Sequence, residues 1–259
     1  MSHRAFSSAL AAIGAAAALL GVPAGAFAGG PGSGGTGIAP APTSSTPTAL
    51  ASPADEVVTA TGPGMTLWTH ASAMLRGHLH IGGQVASSDA GETVQIQRMG
   101  KQTRWQWVAT AAATVAADGT FDAVWKVNHI GRFDLRAVVL NTGTAANDAG
   151  PSPSVTITAF RPARATFYGP GFWGKRTACA VKLRRTTLGV ANRTLPCGTQ
   201  VALYYNGRTI TVPVIDRGPY SNGADWDLTE ATAMALGMKE TETIGAVSLP
   251  PAGSAPAGS

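Results

Sequence analysis

The chain has 259 residues, of which only 13% are charged, and Lys plus Arg number 19 against 14 Asp plus Glu, a formal charge of +5. An apolar share of 44% is enough to build real cores, which excludes wholesale disorder, and the 32 Gly and 17 Pro follow no Gly-X-Y period, which excludes collagen. Positive charge this thinly spread argues against a dedicated nucleic-acid binder, and two cysteines alone cannot complete a structural zinc site.

Arg4 precedes an apolar run from Ala9 to Val22, and Pro23 is followed by Ala26-Phe27-Ala28. A positive start, a short apolar middle and a small-residue exit predict a secretory signal peptide over residues 1–28. The alternative, a transmembrane anchor, needs about 20 apolar residues, more than this run offers. A secreted or cell-wall-associated protein is therefore expected, with no membrane span after cleavage. Residues 29–54 read as an uncharged Gly/Pro/Ser/Thr-rich linker, and residues 250–259 as a similar disordered tail.

Residues 55–160 read as all-β. Phe121, Ala123, Trp125 and Val127 alternate with Asp122, Val124 and Lys126, and the same period of two recurs at Val94–Gln97, Phe133–Val139 and Val155–Ala159. Turn signals at Asp89-Ala90-Gly91, Asp118-Gly119 and Gly131 separate them. Further strands are expected at Leu75–Ile81, at Trp105–Ala109 and near Val57. About seven strands in this length predict an immunoglobulin-like β-sandwich. His78 and His80 share one strand face and could present a metal pair, but no carboxylate or cysteine cluster joins them locally, so an ordinary exposed face is favoured and no metal is expected. Trp105, Trp107 and Trp125 are expected in the core or on a sheet face.

A boundary is placed near Arg161-Pro162-Ala163-Arg164, and residues 164–249 read differently. Short strands are expected at Ala165–Tyr168, Val201–Tyr205, Thr209–Ile215 and Ile244–Leu249, with Asn206-Gly207 as a hairpin turn. Thr229 reads as a helix N-cap, Ala231–Leu236 as the body and Gly237 as the stop. This pattern suggests a small closed barrel. Cys179 and Cys197 are expected to form a disulfide in an exported chain, worth about 3 kcal/mol for a loop of this size. A catalytic thiol is the alternative, but no histidine follows His129 to activate one.

Four stretches carry a resemblance: Thr166-Phe167-Tyr168-Gly169 with the loop to Gly174; Arg193-Thr194-Leu195-Pro196 with Gly198-Thr199; Asp216-Arg217-Gly218-Pro219-Tyr220; and Asp227-Leu228-Thr229 leading into the Ala-rich helix. Together they resemble the RlpA-like double-psi β-barrel of septal-ring lytic transglycosylases, in the branch with a cysteine pair; expansins share this barrel. The fold class expected is thus mainly β, a sandwich followed by a six-stranded double-psi barrel with one short helix.

The resemblance implies a substrate, the glycan strands of peptidoglycan. It also implies a lyase reaction without water or cofactor, in which the muramyl 6-hydroxyl closes onto its own anomeric carbon. One acid can protonate the leaving oxygen and then accept the hydroxyl proton, provided burial or a nearby negative charge keeps it protonated. Asp216 matches the family's barrel aspartate and is the candidate acid/base; its structural alternative is to cap the following turn and pair with Arg217. Asp227 is a weaker candidate, with helix capping as its alternative. The family's glutamate and histidine positions hold Val181 and Asn192, which thins the site. Tyr168, Phe172, Trp173, Arg217, Tyr220 and Trp226 are candidate substrate-binding residues, the aromatic ones either sugar platforms or a packed lid. Two other functions remain open: a non-catalytic, expansin-like glycan-binding module, and a protein-interaction barrel.

The charge is not uniform. Residues 55–159 hold 7 basic and 8 acidic residues, whereas residues 160–249 hold 11 and 6. The positive excess belongs to the second segment, including Lys175, Arg176, Lys182, Arg184, Arg185 and Arg193 around the cysteine loop. Such a face suits an anionic wall polymer.

Overall fold

The computed structural model describes residues 52–53, 56–140, 152–221 and 223–250. The expected leader, most of the linker and the tail beyond Pro250 lie outside the described residues.

In chain order, β1 (Ser52–Pro53) pairs with a barrel strand, and a run of strands then builds the first half: β2 (Val57–Gly62), β3 (Met65–His70), β4 (Ser72–Met74), β5 (His78–Gln84), β6 (Thr93–Met99), β7 (Val108–Thr114), β8 (Thr120–Lys126) and β9 (Gly131–Leu140). Strand β10 (Ser154–Tyr168) is shared with the second half. One antiparallel sheet has the order β2-β3-β5-β8; the facing one runs β4-β10-β9-β6-β7. Alternation decides which side chains meet between them. Phe121, Ala123 and Trp125 point inward from β8 and are buried, and Leu67, Ile81, Ile96, Phe133, Leu135 and Ile157 complete the core. Trp125 meets the edge of Phe133 at a centroid distance of 5.8 Å.

Three details differ from the sequence expectation. Leu75–Gly77 form a turn, so the strand starts at His78. Arg104 and Trp105 occupy the left-handed region (φ 54° and 61°), so Trp105 is in a turn and β7 starts at Val108. The strand β3, with Leu67 and Trp68, was not foreseen. His80 bonds Asp122 at 2.8 Å on an exposed face. Among the described residues no group of three or more His, Cys, Asp or Glu could hold a metal ion.

The expected boundary at Arg161–Arg164 falls inside β10, whose backbone does not break there. Its first part pairs with β9, Arg161–Ala165 pair antiparallel with β15 (Glu242–Ser248), and Ala165–Tyr168 pair parallel with β14 (Trp226–Thr229). At the crossing, Phe160 is buried and stacks on Tyr204 at 5.5 Å, with Met74, Ala202 and Val247 around it. Gly245 is required there: a Cβ would come within 2.8 Å of the Phe160 Cβ.

Between β10 and β14 in sequence lie β11 (Val190–Ala191), β12 (Gln200–Tyr205) and β13 (Arg208–Asp216). The ring runs β10-β14-β11-β13-β12-β15 and returns to β10, so six strands close on themselves. Two pairings, β10–β14 and β11–β13, are parallel. Closure leaves no free edge and encloses Val190, Leu203, Val212, Val214, Leu228 and Ile244. The turn joining β12 to β13 places Asn206 and Gly207 at positive φ, as the hairpin signal requires. The helix α1 (Glu230–Leu236) starts where expected: the Thr229 side chain accepts from the Thr232 N–H, and Gly237 ends it in the left-handed conformation, φ 79°. No helix among the described residues is long and apolar enough to cross a membrane.

Candidate functional site

Strand pairing brings the acidic candidates together. The short strand β11 lies between β13 and β14, and its last residue, Ala191, is in register with Asp216 on one side and Asp227 on the other. The two carboxylates therefore flank a single small residue. Thr166 on β10 is in register with Asp227, and its hydroxyl donates to Asp227 Oδ1 at 2.8 Å.

Asp216 is held from behind. Its Oδ1 accepts the N–H groups of Ala178 (2.9 Å) and Arg217 (2.8 Å). Ala178 immediately precedes Cys179, whose disulfide to Cys197 has Cα atoms 5.7 Å apart. The Cys179 N–H donates to the Ile215 carbonyl, which ties the loop to the end of β13. The expected disulfide thus frames the candidate acid.

Burial raises the pKa of Asp227 above the ordinary carboxylate range; the Asp216 charge adds to this and the Thr166 hydrogen bond opposes it. Tyr168 joins the same cluster. Its buried hydroxyl has no well-formed hydrogen-bond partner, but it approaches the carboxylates. Burial raises its pKa beyond the usual phenol range, with the charges of Asp216 and then Asp227 acting in the same direction.

The aromatic candidates separate. Phe172 is 52% exposed and meets the Tyr168 ring edge-on at 6.0 Å, with Lys175 Nζ 5.3 Å from its centroid. Trp173 is half-buried, with the Arg185 guanidinium 4.3 Å over its ring. Tyr220 is 77% exposed, after the cis Gly218–Pro219 bond. Trp226 is a correction. It lies on β14 rather than in a loop and packs into the barrel core at 9% exposure.

Arg217 is also turned to structure. Its Nη1 donates to the Asn192 and Asp216 carbonyls (3.4 and 3.3 Å), and its Nη2 lies 3.3 Å from Cys197 Sγ. Asn192 sits beside Asp216, its N–H donating to the Asp216 carbonyl at 3.2 Å. Its side-chain oxygen accepts from the N–H groups of Thr194 and Leu195, an Asx turn. Val181 is half-buried in the disulfide loop, its N–H bonded to the Thr177 hydroxyl. Sequence reasoning passed over the Thr166 hydroxyl, although the residue lay in a quoted motif. It also passed over the Ala178 N–H, which carries no side-chain signal at all.

Residues 162–249 match the family described as lytic transglycolase. The chain is 38% identical over 98 residues to the probable endolytic peptidoglycan transglycosylase RlpA of Synechocystis sp., covering 37% of this chain and 30% of that one. It is 40% identical over 76 residues to the endolytic peptidoglycan transglycosylase RlpA of Campylobacter jejuni, covering 29% of this chain and 28% of that one. The chain thus spans less than a third of the length of these relatives. Among solved structures, the Streptomyces papain inhibitor is 26% identical, with 34% of this chain and 93% of that one covered and a TM-score of 0.28. With its six strands closed in this order and the family match running along them, the segment 162–249 is an RlpA-like double-psi β-barrel.

Proposed function

We propose that the protein is exported and acts on the glycan strands of peptidoglycan in the cell wall, with the Asp216–Asp227 pair as the acid/base centre of a lytic transglycosylase reaction. The observation that carries this reading is the placement of two carboxylates beside one small residue, with Tyr168 against them. Burial raises the Asp227 pKa, with the Asp216 charge acting in the same direction, and so favours its protonated form. Burial favours Asp227 as the proton holder, while Asp216, anchored by two N–H donors, is the fixed partner. Asp227 then protonates the leaving glycosidic oxygen, and the vacated carboxylate pair accepts the proton of the attacking 6-hydroxyl. Phe172 and Tyr220 offer exposed rings to stack on sugars.

A second reading, glycan binding without turnover, draws on Asn192 and Val181. Where the family has a titrating histidine, Asn192 commits its side-chain oxygen to a turn, and Val181 brings no polar side chain. Incubating the purified protein with intact and peptide-stripped peptidoglycan separates the two. Release of 1,6-anhydromuramyl ends, detected by mass spectrometry and sharply reduced in Asp227→Asn, supports catalysis. Sedimentation with sacculi and no such ends supports binding alone.

A further inference from the structure

The barrel end that carries Asn192 and Asp216 is the end at which β10 arrives from the sandwich. Two cavities lie along this seam. The smaller, about 310 Å³, is lined by Arg161, Asn192, Arg193, Asp225 and Trp226. The larger, about 660 Å³, lies against β9 and the turn after β6 and is lined by Lys101, Trp105, Arg132 and Asp134. Ile130, Val247 and Ser248 line both, so the two adjoin. Asn192 links this trough to the carboxylates through its N–H bond to the Asp216 carbonyl.

We propose that the trough is a second binding site for the same ligand, holding the continuation of an anionic polysaccharide strand whose reacting unit lies at Asp216 and Asp227. The inference rests on the glycan reading above and extends it to the sandwich. Both volumes fall in the range of about 300–1,000 Å³ usual for ligand clefts. Four basic side chains, Lys101, Arg132, Arg161 and Arg193, line it against two acidic ones, Asp134 and Asp225, a balance that suits sugars bearing carboxylates. Trp105 supplies an aromatic wall. Its backbone sits at φ 61°, directly after Arg104 at φ 54°, a conformation that bulky residues rarely adopt. The wall is also tied in place before any ligand arrives. The Trp105 N–H donates to the Gly100 carbonyl at 3.0 Å, and the Gln102 amide donates to the Ile130 carbonyl on the trough floor.

The test compares binding of short and long peptide-stripped peptidoglycan strands to the full chain by calorimetry, with neutral chitin oligosaccharides of matched length alongside. Short strands report on the barrel cleft, and the gain on lengthening reports on the trough. The expected result is a gain of about tenfold for long anionic strands, smaller for neutral ones, that Trp105→Ala and Arg132→Ser each largely remove while short-strand affinity stays as in wild type. Arg132 is exposed, so its variant tests the site without touching the core. Equal affinity for short and long strands, or both variants binding long strands as wild type does, overturns the trough and leaves the cleft standing. Wild type binding neither length removes the glycan reading itself.

Discussion

Asp216 and Asp227 come from different strands, yet both are in register with Ala191, so one methyl-bearing residue is all that separates their places on the barrel. Their surroundings are unequal: Asp216 receives two backbone N–H groups, whereas Asp227 receives one hydroxyl and is pushed upward in pKa by burial and by Asp216.

This asymmetry predicts a pH profile. With Asp227 as proton donor, strand cleavage is sustained while Asp227 is protonated and declines as pH rises through its raised pKa. Asp227→Asn lowers the rate by about a hundredfold or more. Asp216→Asn removes the like charge, so any residual activity declines at lower pH than in wild type. The stability effect has the matching sign. A carboxyl whose folded pKa is raised costs stability at pH above its unfolded value, so Asp227→Asn raises the melting temperature at neutral pH and gives no gain in acid. A lower melting temperature at neutral pH would contradict this.

The disulfide is expected to act on both stability and site geometry. Replacing Cys179 and Cys197 together with serine costs about 3 kcal/mol in chemical denaturation. Because Ala178, next to Cys179, donates to Asp216, glycan affinity or turnover should fall as well. Reductant should reproduce both effects in wild type and neither in the double variant.

Trp226 and Phe172 make opposite predictions. Trp226→Ala empties part of the barrel core and costs about 3–5 kcal/mol. Phe172→Ala alters an exposed ring and changes stability by no more than about 0.5 kcal/mol, yet it weakens binding to sacculi. Equal melting temperatures for the two variants would refute the core placement of Trp226.

The sandwich holds its own pH dependence. Arg98 is buried at 8% exposure over the Trp125 and Phe133 rings, at 5.8 and 5.4 Å, and its Nε and Nη1 have no hydrogen-bond partner. Its Nη2 lies 3.3 Å from His129 Nδ1. Burial and then the Arg98 charge lower the His129 pKa. A histidine with a depressed folded pKa favours the folded state above its unfolded pKa, and that stability is lost as pH falls toward the folded value. Arg98→Met should therefore flatten the acid-side loss in a pH series of melting curves. At neutral pH it should stabilise by about 1 kcal/mol or more, because an unpaired buried cation is removed. A clear loss of stability at neutral pH would count against this account.

Strands with strict alternation, such as that of Phe121, Ala123 and Trp125, were legible because one face is buried and the other is wet. So were the Thr229 and Gly237 caps and the Asn206-Gly207 turn, whose chemistry is local. The two shortest barrel strands were not. Val190–Ala191 is too brief to show a period, and Trp226–Thr229 owes its identity to partners about 40 and 60 positions away. The same gap hid the burial of Trp226, since flanking Asp residues suggest a loop until β10 is seen beside them. Asp216 was readable from its motif, whereas its N–H anchor at Ala178 was not, because a backbone donor has no residue type. Arg217 was expected to face substrate; its neighbours, two carbonyls and a sulfur, are brought together only by the disulfide loop.

The uninterrupted strand β10 has a consequence for how this chain can change over generations. Its residues alternate inward and outward through Ile157 and Ala159 in one core and Ala163 and Ala165 in the other. One residue inserted between them would reverse that parity on one side, exchanging buried for exposed positions, unless a bulge absorbed it. The two halves therefore share a reading frame of side-chain direction. Loops elsewhere in the molecule are free to lengthen, but the crossing at Phe160–Arg161 keeps its count.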